Sequence, residues 1–227
     1  MCRWYFDTTV FNAAIIQGHL TYMAANYNNS AWFYDGLSRI VYGKSLINAQ
    51  VYLLSFVPKN ANVLIVGGGT GWILEELTYL HSSGLTITYV EIAADMMALS
   101  QKRYIGDNQV IFVNDAIENS NITLGYEVVI TPFLLDNFTE ATLNKVFKNI
   151  DILLKPSALW LNASFQLTGK WWQQVLLKSM FIFFKLICNI EASKLPEIDS
   201  CFEGNSYQIF EQKSFYGDFV GAKVWKK

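Results

Sequence analysis

The sequence predicts an α/β protein: a seven-stranded, mostly parallel sheet with helices on both faces, an antiparallel C-terminal hairpin and an N-terminal helical cap. Three observations predict it. Short β-branched runs alternate with amphipathic segments through the middle of the chain. A glycine-rich stretch, "VLIVGGGTGW", joins the first such run to the helix after it. The last two runs, "SYQIFEQKSF" and "DFVGAKVWK", meet across Tyr216-Gly217-Asp218, which reads as a hairpin.

The elements follow in order. Residues 11–57 are mostly helical in pattern, with Leu37, Ile40, Val41, Leu46, Ile47, Val51 and Leu54 spaced by threes and fours. Pro58 and Asn60 close this cap. "NVLIVG" is a buried strand, and "TGWILEELTYLHSSG" is a helix ending at Gly84. "LTITYVEI" is a strand, "AADMMALSQKRYI" a helix, "QVIFVND" a strand, and "YEVVITPF" a strand closed by Pro132. "TEATLNKVFKNIDILL" is a helix opening at Thr139, with Thr142 where a full capping box has Glu or Gln. "ALWLNASF" is a strand, and residues 171–190 form an apolar helix. Strand–helix alternation gives a parallel sheet, and the hairpin adds an antiparallel edge strand. No repeat, linker or low-complexity tract divides the 227 residues, so the expectation is one domain, with a cap over 1–57 and the sheet over 58–227.

Composition narrows the partners. Apolar residues make up 52% and aromatics 15%, ample for a core. A net charge of −2 argues against nucleic acid. Charged residues are only 16%, below the usual quarter, which points to an apolar pocket, a homodimer face or peripheral contact with a membrane. The apolar helix carries Gln173, Gln174, Lys178 and Lys185, so it is expected to pack or cover a pocket and not to span a bilayer. Cys2, Cys188 and Cys201 make neither a zinc motif nor a disulfide framework, and no signal peptide is read at the N-terminus. A cytoplasmic location is expected.

Ligands of open α/β sheets sit beyond the carboxyl ends of the strands, so the glycine loop is the place to look. Gly67, Gly68 and Gly69 let backbone approach a ligand, and the next helix aims its N-terminal N–H groups there. A dinucleotide fingerprint, G-x-G-x-x-G, would need glycine where Trp72 stands; the pattern is G-x-G-x-G at Gly67, Gly69 and Gly71. No Gly-Lys-Ser/Thr follows, which excludes a Walker A loop.

Over residues 57–165 the chain resembles the class I S-adenosylmethionine-dependent methyltransferases, which have a Rossmann-like fold. "VLIVGGGTGWIL" resembles their first motif, "TYVEIAADMM" the second, "VNDAIEN" the third and "VVITPFLLDNF" the fourth strand with its loop. The resemblance implies S-adenosyl-L-methionine as cofactor and S-adenosyl-L-homocysteine as product. It implies that Gly67, Gly68, Gly69 and Gly71 carry the methionine part, and that Glu91 binds the ribose hydroxyls, with Ile92 and Met96 beside it. Asp115 and Ala116 would meet the adenine, and Thr131 and Pro132 would lie at the mouth. "FYDGLSRIVYG" is faintly similar to a segment of quinone-biosynthesis C-methyltransferases, which makes Tyr34 a further cofactor contact.

Plainer readings stand beside these. Glu91 also suits a strand end, Asp115 a turn cap, and Tyr34 simple packing. His81 suits the dipole at its helix end. His19 and Asp136 are the candidates for a general base, needed only if the acceptor must lose a proton. No metal site is expected. The expected reaction is C- or O-methylation of a small lipophilic or aromatic acceptor. The alternatives are an NAD(P)-dependent oxidoreductase, an inert interaction module on the same fold, and aminopropyl transfer.

Overall fold

The computed structural model describes residues 44–188 and 194–227, with side chains for all of these but 183–188. Its elements run α1 (Ser45–Leu54), β1 (Asn62–Val66), α2 (Trp72–Leu80), β2 (Ser83–Val90), α3 (Ala94–Ser100), β3 (Asp107–Val113) and β4 (Tyr126–Pro132). A 3-10 turn (Leu135–Asn137) leads to α4 (Glu140–Asp151), β5 (Leu154–Phe165), α5 (Trp171–Cys188), α6 (Ile198–Gly204), β6 (Gln208–Phe215) and β7 (Val220–Lys226). The seven strands form one sheet in the order β3-β2-β1-β4-β5-β7-β6. The pairs from β3 through to β5 are parallel; β7 is antiparallel to both β5 and β6.

The sheet is buried on both faces, and this is why its central strands read as unbroken apolar runs. On one face Val63, Ile65, Ile87, Val128, Ile130 and Leu161 pack against α1, α2 and α5. On the other, Leu64, Val66, Val129 and Trp160 pack against α4 and α6. The expected cap is represented here only by α1, which lies against β5, β6, β7 and α2; the rest of the segment 11–57, up to residue 43, lies outside the described residues.

Two details differ from the sequence reading. The first helix after the loop ends at Leu80, and Ser83 and Gly84 already belong to β2. His81 caps it in an extended conformation, φ −135° and ψ 89°. Gly84 has φ +91° where β2 and β3 shift register, and a Cβ there would strike the Asn60 side chain at 2.3 Å. The hairpin does supply the antiparallel edge strand, which is β6, with β7 between it and β5. Finally, α6 was not read at all. Thr139 does cap α4, its hydroxyl accepting from the Thr142 N–H at 3.3 Å.

The α6 helix matters because Phe202 is fully buried. Its ring stacks on Trp225 at 4.5 Å and meets Trp160, Phe147 and Tyr207 edge-on. Phe202→Ala is expected to cost about 3–5 kcal/mol, measured as a lowered denaturation midpoint with the denaturant slope unchanged.

Candidate functional site

The loop of residues 67–71 leaves β1 at the carboxyl edge of the sheet and enters α2. Gly67, Gly69 and Gly71 have φ of +70°, +63° and +78°, in the region that favours glycine. Three of the four loop glycines are also short of space. A Cβ at Gly67 would lie 2.8 Å from Leu134, at Gly68 2.4 Å from the Tyr89 ring, and at Gly71 2.5 Å from Ser100. Gly69 differs: among the described residues, a Cβ there would meet only the Met96 sulfur, at 3.9 Å. The loop is gripped from behind and looks onto open space at its tip.

The grip is made of hydrogen bonds. Glu91 follows β2 and is buried; one carboxylate oxygen accepts from the Gly69 N–H and the other from the Ala93 N–H, both at 2.9 Å. Burial raises its pKa, and the N–H groups of Ala93 and Gly69 oppose that rise. The Tyr89 hydroxyl donates to the Gly69 carbonyl at 2.9 Å. Burial, then the nearby Glu91 charge, hold that phenol well above its ordinary pKa, so it remains a donor. The Arg103 Nε donates to the Thr70 carbonyl at 2.9 Å, and its guanidinium pairs with Glu75 at 3.2 Å. Asn114 Nδ2 donates to the Glu91 and Ile92 carbonyls at 2.7 and 3.1 Å. These three supports, Tyr89, Arg103 and Asn114, were missed in the sequence. Tyr89 reads as one more apolar strand residue and Arg103 as part of the polar run "QKRY".

Glu91, Met96 and the glycines are therefore brought together, and Ile92 and Ala93 form the turn beside them. The carboxylate is already bonded to two backbone groups, but each oxygen keeps a second acceptor position. Residues of this kind fit an S-adenosylmethionine-type cofactor: a glycine tip would leave room for it, and a buried carboxylate follows the neighbouring strand. Asp115 follows β3 and is exposed, its Oδ1 accepting from the Ala116 N–H at 2.7 Å and from Asn119 at 3.3 Å. Ala116 is buried.

The β4 end is built differently from the expectation. The Thr131 side chain is fully buried, accepting from Trp160 Nε1 at 2.9 Å and donating to Asn162 at 2.8 Å, so its hydroxyl is committed to the core. Pro132 is half-buried, and Phe133 after it takes φ +55°, a strained value for an aromatic residue. Leu134 packs on Gly67. Phe133, Phe165, Phe219 and Trp172 then form a row of rings, with neighbouring centroids 5.2, 5.2 and 5.9 Å apart. The row runs from the carboxyl end of β4 to the start of α5.

Asp136 is sealed. Its Oδ2 accepts from the Phe165 N–H at 3.1 Å, and its Oδ1 has no partner. Burial pushes its pKa up to about 8, against the pull of that N–H. It keeps its proton at neutral pH, and the bond its Oδ2 accepts from Phe165 staples the 3-10 turn to β5; the geometry does not support the base sought there. His19 and Tyr34 lie outside the described residues.

No protein-family model matches the chain, and no curated protein matches it in sequence. Solved structures do match it in fold. A Haloferax volcanii methyltransferase, described as putative and solved in complex with the Trm112 methyltransferase activator, superimposes with a TM-score of 0.65 at 12% identity, covering 88% of this chain and 96% of that one. Mitomycin 7-O-methyltransferase MmcR gives 0.62 at 15% identity, over 82% of this chain and 54% of that one. The mycolic acid cyclopropane synthase CmaA1, complexed with S-adenosylhomocysteine (SAH) and CTAB, gives 0.62 at 10% identity, over 80% and 84%. The chain thus spans about half the length of MmcR and most of the Haloferax methyltransferase and of the synthase. It has the Rossmann-like fold of class I S-adenosylmethionine-dependent methyltransferases.

The sealed carboxyl has a checkable consequence. With a folded pKa of about 8 against an ordinary 3.8, Asp136 takes up a proton on folding, so its favourable contribution is complete below pH 4 and is lost as pH rises to 8. Asp136→Asn, neutral throughout, is expected to melt like the wild type near pH 4 and increasingly above it toward pH 8, in melting curves across that range.

Proposed function

We propose that this chain binds S-adenosyl-L-methionine at the glycine loop and transfers its methyl group to a small, apolar or aromatic acceptor. One observation carries the reading: the tip of the loop at Gly69 faces open space while its N–H is held by Glu91, the acid at the end of the adjacent strand. Backbone and carboxylate together suit a ligand with one amino-acid end and one vicinal diol. The fold neighbours, named as methyltransferases and a cyclopropane synthase, support the same reading.

When bound, the cofactor supplies a methyl group already activated by a sulfonium charge, which a nucleophilic atom of the acceptor takes in line. What the chain contributes is alignment. Tyr89 and Arg103 fix the carbonyls of Gly69 and Thr70, so the loop is in place before anything binds. Glu91 offers its remaining acceptor positions to the ribose, and Asp115 its exposed carboxylate to the adenine end. Phe133 and Leu134, both half-buried, give the acceptor a short apolar wall beside the loop, which Leu134 itself touches; Phe165 and Phe219 behind them are core. Holding two reactants at such a mouth lowers the barrier by several kcal/mol without further chemistry, up to about 7–11 kcal/mol in well-oriented systems. The aromatic wall and the net charge of −2 favour an uncharged metabolite over nucleic acid. C- and O-methylation both fit it.

Calorimetry tests the reading. S-adenosylmethionine is expected to bind and raise the melting temperature, while NAD(H) at the same concentration leaves it unchanged. Glu91→Ala is expected to weaken binding about ten- to a hundred-fold, the worth of one charged hydrogen bond to a diol. Absence of heat and of thermal shift at millimolar cofactor would sink the proposal.

A further inference from the structure

The α5 helix has two faces with different neighbours. Gln173, Leu177 and Phe181 are buried at i, i+4 and i+8. The Gln173 amide ties the helix start to the hairpin, donating to the Gly217 carbonyl at 3.1 Å. The opposite face is apolar as well, yet it is in water: Trp171 is 77% exposed, Val175 59% and Ile182 62%, with Leu167 just upstream at 46%. Positions 171, 175, 178 and 182 fall on one stripe at helical spacing. Lys178 is the charged member of that stripe and is exposed. The 18 residues of the helix, WWQQVLLKSMFIFFKLIC, contain no acid; their charges are Lys178 and Lys185.

A helix of this kind is suited to one sort of neighbour. An exposed tryptophan and two aliphatics can enter the headgroup boundary, while lysine stems reach back to anionic phosphates. An all-cationic helix in a chain of net charge −2 places its positive charge beside the apolar stripe. Among the described residues no helix is long and apolar enough to cross a membrane. Trp172, next to the outward Trp171, packs inward on the buried Phe219 and meets Tyr216, so the first turn of α5 is anchored to the core while its outer face stays exposed.

We propose that the outer face of α5 seats the protein on an anionic lipid surface. The seating stands on the helix itself; that the surface supplies a lipophilic acceptor rests on the methyl-transfer reading above.

The test is co-sedimentation of the full chain with phosphatidylcholine vesicles, with and without added phosphatidylglycerol. The chain is expected to pellet with the anionic vesicles, and to be released by high salt. The double variant Val175→Asp, Ile182→Asp is expected to lose about ten-fold or more in partitioning, with melting temperature and S-adenosylmethionine binding unchanged. Should that variant fail to fold, Lys178→Glu is expected to reduce pelleting with the anionic vesicles alone. Wild-type protein remaining in the supernatant, or variants that pellet as well as wild type, would overturn the seating. So would a wild-type dimer that ignores vesicles and that the aspartates split into monomers, since a second copy would then cover the stripe. Vesicle binding without cofactor binding would leave the seating intact and remove the methyl-transfer reading.

Discussion

One buried carboxylate ties the site together. Glu91 accepts at once from Gly69 in the loop after β1 and from Ala93 in the turn after β2. Neither loop could hold its course alone: one is made of glycines at positive φ, the other is a short turn into α3. A charge taken out of water needs such partners, and the two backbone N–H groups are what make the burial of Glu91 tolerable. The arrangement is reciprocal, because the same bonds fix where the loop lies. Tyr89 adds a bond to the Gly69 carbonyl and Arg103 one to the Thr70 carbonyl, so the tip of the loop is held although it carries almost no side chain.

The mouth beside it is built on the opposite principle. There the constraint is steric and apolar. Leu134 fills the space that a Cβ at Gly67 would take, and Phe133 accepts an unfavourable φ to keep its ring on Phe165. Asp136 is drawn under this surface by the Phe165 N–H, which removes it from solvent and raises its pKa. A polar grip on the loop thus adjoins an apolar surface at the end of β4.

Much of this was legible in the sequence, for identifiable reasons. The strands stand out because a parallel sheet covered on both faces has apolar stretches through its centre, and "VLIV" and "VVI" are such stretches. The glycine loop stands out because nothing but its backbone conformation calls for so many glycines. Glu91 stands out because a charge closing an apolar run is rare without a reason. What was not legible depends on distant parts of the chain. Thr131 looks like a mouth residue until Trp160 and Asn162, about thirty positions away, take its hydroxyl. Tyr89 is an ordinary strand residue until Gly68 lies against its ring. The α6 helix has seven residues and too short a pattern to read, and it is fixed by the Phe202 stack on Trp225. The order of the hairpin strands is likewise decided by which of them can bury its side chains: β7 is buried along its length and β6 exposed.

The central claim is that the loop and Glu91 form one preformed seat for S-adenosylmethionine. Amide hydrogen exchange read by mass spectrometry tests it most directly. Saturating cofactor should slow exchange in peptides covering residues 67–73 and 91–96, with little change in peptides from β6 and α6. Unchanged exchange in the first two regions at saturating cofactor would contradict the account.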